Sequence, residues 1–143
     1  MPAKVATLEL ASELRVALMR LTRRLRAERA DESVTLTQLS VLGALKRHGP
    51  MNLAELAAQE RVQPPSMTRT TAGLEERGLI TRGADPADKR YVMFELTEAG
   101  AKLLREDRRR HEAWLAGQLE QLSVEERALL RAVAPLLDRM AQS

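Results

Sequence analysis

The chain has 143 residues, no cysteine and a formal net charge of +3, with an isoelectric point near 9.8. That length fits one domain with a real core, and the missing cysteines exclude disulfides, thiolate catalysis, thiolate metal sites and cysteine-based redox sensing. The mild positive balance is compatible with a nucleic-acid partner without establishing one. Tyr91, Phe94 and Trp114 are the only aromatics, which argues against a stacking platform for single strands. Met1-Pro2-Ala3-Lys4 leads straight into an amphipathic, arginine-bearing pattern rather than a signal-peptide core. No apolar run approaches the length of a membrane span, so no membrane partner and a cytoplasmic location are expected.

In chain order, Thr7 to Glu28 predicts a first helix. Leu10, Leu14, Leu18, Leu21 and Leu25 recur at three and four residues as one stripe. Arg15, Arg20, Arg23, Arg24 and Arg26 lie opposite, as a solvated cationic face from which one or two could reach phosphate. Asp31 to Val34 reads as a polar break. Thr35-Leu36-Thr37-Gln38 matches a capping box. The helix it opens runs to about Arg47, buries Leu39, Leu42 and Leu45, and is stopped by Gly49-Pro50.

Met51 and Asn52 suit a very short strand. Asn52 then caps a compact helix to Gln59, with Leu53, Leu56 and Ala57 inward. Small Ala54, Ala57 and Ala58 would let a neighbouring helix approach, as a helix–turn–helix requires. After the turn Arg61-Val62-Gln63, Pro64-Pro65 fits only a helix start. The helix so opened runs to Arg77, with Val62, Met67, Thr71 and Leu74 as its core stripe and Gly78 as its stop.

Leu79 to Gly83 and Tyr91 to Leu96 read as paired strands around a charged turn, Asp85-Pro86-Ala87-Asp88-Lys89-Arg90. Such a hairpin must lean on the helices to be stable. Thr97 caps a long helix to about Gln121, and Ser123-Val124-Glu125-Glu126 is a further capping box. The last helix is expected to bury Leu129, Val133, Leu136, Leu137 and Met140, and Pro135 should kink it or free a carbonyl.

A helix followed by a strand tip of this kind fits one DNA groove with a finger in the next. The exposed start of the Pro64–Arg77 helix suits base edges, and its free N–H groups suit phosphate. Arg69 can contact guanine bidentately, and Ser66, Thr68 and Thr70 can meet bases or phosphate oxygens. The alternative is that these are ordinary exposed polar residues, with Ser66 a capping hydroxyl. At the turn, Asp88 and Arg90 share a side if strand geometry extends there. The carboxylate can then hold the guanidinium extended toward a minor groove, or the two form an inconsequential surface pair. Lys89 points elsewhere and suits phosphate. The candidate DNA-facing set is therefore Pro64, Ser66, Thr68, Arg69, Thr70, Asp88, Lys89 and Arg90.

The Leu74-Glu75-Glu76-Arg77-Gly78-Leu79-Ile80 segment, the Asp85–Arg90 turn and the Leu96-Thr97-Glu98-Ala99-Gly100 exit together closely resemble the MarR (multiple antibiotic resistance regulator) family. The resemblance spans nearly the whole chain. It implies a mainly α (α+β) fold, a winged helix–turn–helix with long N- and C-terminal dimerisation helices. It also implies a homodimer that represses transcription at a pseudo-palindromic double-stranded operator, often relieved by a small aromatic or phenolic effector. By position, the family's base- and phosphate-contacting residues fall on Ser66, Thr68 and Arg69, and its minor-groove wing arginine on Arg90, supported by Asp88. The implied effector cleft lies between the dimer helices and the winged helix, with Leu14, Leu18, Leu45, His111 and Trp114 as candidate lining. The single domain would divide into a helical dimerisation region, 1–34 and 98–143, and a DNA-binding region, 35–97.

The residues leave two rivals. One is a winged-helix protein-interaction module without DNA binding, against which the cationic wing and hydroxyl-rich helix argue. The other is an enzyme, but no nucleophile–base pair, paired acids or phosphate-cradling glycine loop is visible. His48 and His111, far apart and without clustered carboxylates, give no metal signature. No cofactor is expected.

Overall fold

The computed structural model describes residues 2–143, with side chains from Lys4 onward. Met1 and the side chains of Pro2 and Ala3, part of the Met1–Lys4 segment read above, lie outside the described residues. The order of elements is α1 (Pro2–Ala27), α2 (Leu36–His48), β1 (Met51–Asn52), α3 (Leu53–Glu60), α4 (Pro64–Glu76), β2 (Ile80–Ala84), β3 (Val92–Leu96), α5 (Glu98–Glu120) and α6 (Val124–Ala141). This is the winged helix–turn–helix flanked by long helices that the sequence predicts. The first helix begins earlier than Thr7 because Pro2 fits a first helical position at no cost.

The three strands form one antiparallel sheet in the order β1-β3-β2. Met51 pairs with Phe94, and Ile80 with Leu96. The short first strand thus gives the wing hairpin the third strand that an isolated hairpin lacks. Val34, Leu42, Leu56, Met67 and Leu74 are fully buried, and Ile80 and Phe94 nearly so. Each such side chain contributes on the order of 2 kcal/mol by leaving water. Val34, assigned above to a polar break, belongs to this core because the chain turns inward there. Of the three alanines on α3 only Ala57 is buried, while Ala54 and Ala58 stay exposed.

Helix ends are secured as the sequence predicts. Thr35 and Ser123 each complete a reciprocal capping box. Thr97 caps α5 through the Gly100 N–H (3.1 Å) and donates its hydroxyl to the Gly78 carbonyl (2.7 Å). Gly78 adopts φ 70°, the left-handed turn that ends α4. A Cβ on Gly100 would overlap the Leu79 carbonyl oxygen, so α5 meets the wing base backbone to backbone.

The apolar stripe predicted on the last helix is present and is not covered within this chain. No residue of α6 is buried within the chain: Leu129 is 66% and Met140 61% exposed. Leu136 is also exposed, and Val133 and Leu137 are half-buried. The periodicity is real, but nothing among the described residues buries it. Helix α6 runs unbroken through Pro135, which leaves the Arg131 carbonyl without its amide donor. Among the described residues no helix is long and apolar enough to cross a membrane.

Candidate nucleic-acid interface

Helix α4 lies with Met67, Thr71 and Leu74 against the core, so its opposite face is open. Pro64, Thr68 and Arg69 are exposed, and Ser66 and Thr70 half-buried. Arg69 makes no ion pair or side-chain hydrogen bond among the described residues, so its guanidinium is available.

The start of α4 differs from the sequence expectation in one chemical respect. Gln63 occupies the cap position without a side-chain bond, and Pro64 and Pro65 have no N–H to offer. The Ser66 N–H is already spent on the Gln63 carbonyl at 3.0 Å. This helix end therefore presents no row of free amides to a phosphate, and anion contacts there fall to side chains. The threonines are also committed. Thr68 donates to the Pro64 carbonyl (3.1 Å) and Thr70 to the Ser66 carbonyl (3.0 Å). With their protons used, they can accept from a base amino group but cannot donate to a phosphate oxygen. Ser66 keeps a hydroxyl free to donate.

At the wing tip, Arg90 lies on Asp88 through Nε–Oδ1 at 2.9 Å and Nη2–Oδ2 at 2.7 Å. The sequence argument placed the pair together by strand alternation, but the strands stop at Ala84 and Val92. A turn brings them together instead: the Tyr91 N–H donates to the Asp88 carbonyl, and the Arg90 N–H to Asp88 Oδ1, both at 3.1 Å. The Arg90 side chain and then its backbone N–H hold the Asp88 carboxyl below the usual range, while Asp88 raises the Arg90 guanidinium. Lys89 is exposed beside them and has no partner among the described residues.

Sequence reasoning missed how the wing is aimed. Arg82 on β2 grips Glu75 of α4 with two bonds, 2.8 and 2.6 Å. Its guanidinium also lies 5.5 Å from the centre of the Phe94 ring. The recognition helix and wing are thereby tied into one body. Between them runs a cleft of about 440 Å³ lined by residues that include Pro64, Thr68, Arg82, Arg90, Tyr91 and Val92. Tyr91, half exposed there, was another residue the sequence did not single out. A phenol next to a charged turn is the signal that could have found it.

The five candidate effector residues are not gathered in the single chain. Leu45 is 3% exposed and belongs to the core. Leu18 lines a depression of about 650 Å³ with Met19, Arg23, Arg26 and Arg29. His111 lines a separate groove of about 340 Å³ between α2 and α5. Leu14 is half-buried on α1, and the half-buried Trp114 carries Arg24 on its ring at 5.1 Å. No group of three or more potential metal ligands occurs among the described residues.

The sequence profile of the MarR family matches residues 34–92. An HTH-type transcriptional regulator of Mycobacterium tuberculosis is 44% identical over 128 residues, covering 90% of each chain. The HTH-type transcriptional repressor MdtR of Bacillus subtilis is 30% identical over 139 residues, covering 94% of this chain and 88% of MdtR. The crystal structure of a proposed transcriptional regulator from Pseudomonas aeruginosa superposes with a TM-score of 0.87 at 40% identity, covering 96% of this chain and 97% of that one.

Proposed function

The chain belongs to the MarR family, and from that premise we propose that it acts as a homodimeric repressor at a pseudo-palindromic operator. Membership makes it a DNA-binding transcription regulator and not an enzyme. The observation that carries the finer reading is the pairing of an unencumbered Arg69 on the open face of α4 with an Arg90 held outward by Asp88 on the adjoining wing. On this reading one cation enters a major groove and the other the neighbouring minor groove. Ser66 and Lys89 donate to phosphates on this reading, Thr68 and Thr70 accept from bases, and Pro64 packs against the backbone.

Dimerisation is supported by apolar residues left open on α1 and α6, such as Leu8, Leu10, Leu129 and Met140. A second copy related by a twofold axis is the common way to cover such a surface. Residues 1–34 and 98–143 would then hold two 35–97 units at half-site separation, about 34 Å for successive major grooves. Relief by a small aromatic or phenolic effector completes the proposal, with Leu14, Leu18, Leu45, His111 and Trp114 as its candidate neighbourhood. The depression beside Leu18, apolar with arginines at its edge, supports a ligand of that chemistry.

Selection of duplexes from a randomised pool by the purified chain, followed by gel shift against random competitor, tests the reading. A two-half-site sequence retained under competition supports it. Equal binding to all duplexes, or to none, returns the chain to the rival class of winged-helix protein-interaction modules, which no observation favours at present.

A further inference from the structure

Two adjacent residues in the loop between α1 and α2 are held from opposite sides. The Ala30 N–H donates to Oδ1 of Asp107, a buried carboxylate on α5, at 3.0 Å. The next residue, Asp31, accepts from Arg77, which closes the C-terminal end of α4, through Nη2–Oδ2 at 2.5 Å. The other arm of the same guanidinium donates to the Ser33 hydroxyl at 2.6 Å. Below this, Arg29 Nη1 donates to the carbonyl of the fully buried Val34 at 3.1 Å, closing the loop onto the winged-helix core.

We infer that Arg77, by gripping Asp31 and Ser33, fixes the angle of the recognition helix to the long-helix scaffold and so sets which half-site spacing the protein accepts. The inference rests on the dimeric DNA-binding reading above. Arg77 is a positioning residue: it lies at the far end of α4 from Arg69 and Ser66 and reaches the loop instead. The winged helix meets the long helices along α2, which packs on α5 with Leu103 and Leu104 against the core, and at two further points. One is the wing base, where Thr97 and Gly100 seat α5 against Gly78 and Leu79. The other is the 30–33 loop, and Arg77 is what ties the recognition helix itself to it. With the α2–α5 packing and the wing base intact, loss of the Arg77 grip leaves the unit folded and loosens the recognition helix against the 30–33 loop.

Burial supports a geometric role over a stabilising one. Both side chains of the pair are about one third exposed, 34% each, and exposed pairs contribute little to stability. The Ser33 hydroxyl and backbone N–H, with Arg77 after them, hold Asp31 below the ordinary carboxylate range, so the grip is charged at neutral pH. Spacing is a demanding readout. One base pair added between half-sites separates them by about 3.4 Å and turns one against the other by about 35°.

The test uses the duplex selected by the wild-type chain, remade with one base pair added to or removed from between its half-sites. Wild-type protein is expected to reject both altered spacings. Arg77→Ala should reduce that penalty by roughly three-fold or more, with thermal midpoint and sedimentation unchanged, and Arg77→Lys should fall between. Because the chain has no cysteine, a spin label on Ala72→Cys reports the distance between the two recognition helices without DNA. Its distribution should broaden in Arg77→Ala. Should Arg77→Ala lose its fold, Asp31→Asn serves in its place. Unchanged spacing discrimination with an unbroadened distribution overturns the inference, as does uniform weakening across all spacings, the mark of a lost phosphate contact. A wild-type chain that selects no two-half-site duplex overturns the parent reading instead, and this inference with it.

Discussion

The guanidinium of Arg90 rests on the Asp88 carboxylate at 2.7 Å while 85% of its side chain faces solvent. A cation held in place yet left exposed is organised for a partner outside the chain, because so open a pair adds little to folding. Arg90→Ala is therefore expected to weaken operator binding by about ten-fold while leaving the thermal midpoint unchanged. Asp88→Ala should have a smaller effect of the same sign, since it frees the arginine without removing it. Fluorescence anisotropy on a labelled duplex measures both, and equal affinities for wild type and Arg90→Ala would remove the wing from the interface.

The same pair makes a prediction about pH. The folded-state value of Asp88 is depressed, so its contribution is present above the ordinary carboxylate range near 4 and is lost as pH falls through the depressed value. The Arg90 share of DNA affinity should thus be constant between about pH 6 and pH 8. It is read as the ratio of wild-type to Arg90→Ala affinities across that range. A ratio that drifts there would assign the arginine a different partner.

Arg69 and Lys89 should separate into two kinds of contact. Arg69→Ala is expected to flatten discrimination among base substitutions at one operator position by on the order of ten-fold. Lys89→Ala should weaken all sequences alike and lower the slope of log affinity against log salt by about one. A base-specific effect of Lys89→Ala, or a uniform one of Arg69→Ala, would reverse these assignments.

Gly100 tests the joint between wing and long helix. A methyl there meets the Leu79 carbonyl oxygen, part of a backbone that also bonds Thr97, so relief requires the strand base to move. Gly100→Ala should cost about 1–3 kcal/mol of stability, read as a lowered thermal midpoint. An unchanged midpoint would mean that α5 shifts freely at this point.

Local signals carried most of this architecture. Thr35, Asn52, Thr97 and Ser123 each cap the helix they were expected to cap, because a cap is decided by neighbours three residues away. Long-range relations were less legible. The pairings of Arg82 with Glu75 and of Arg77 with Asp31 depend on how turns fold, and no periodicity reports that. Nor could the stripe on α6 reveal what covers it, since an apolar face has the same spacing against its own core as against another molecule. At the interface, residue types were readable but their commitments were not. Thr68 and Thr70 looked like free hydroxyls until their bonds to the preceding turn were seen.

The central claim is that two copies of the chain act together on one duplex, and the mass of the complex measured by sedimentation on the selected operator tests it most directly. Two chains per duplex are expected, with protection over two half-sites about one helical turn apart. The same assembly should be lost when Leu129 and Met140 on the open face of α6 are both changed to aspartate. A complex saturating at one chain per duplex, or one indifferent to those two changes, would contradict the account.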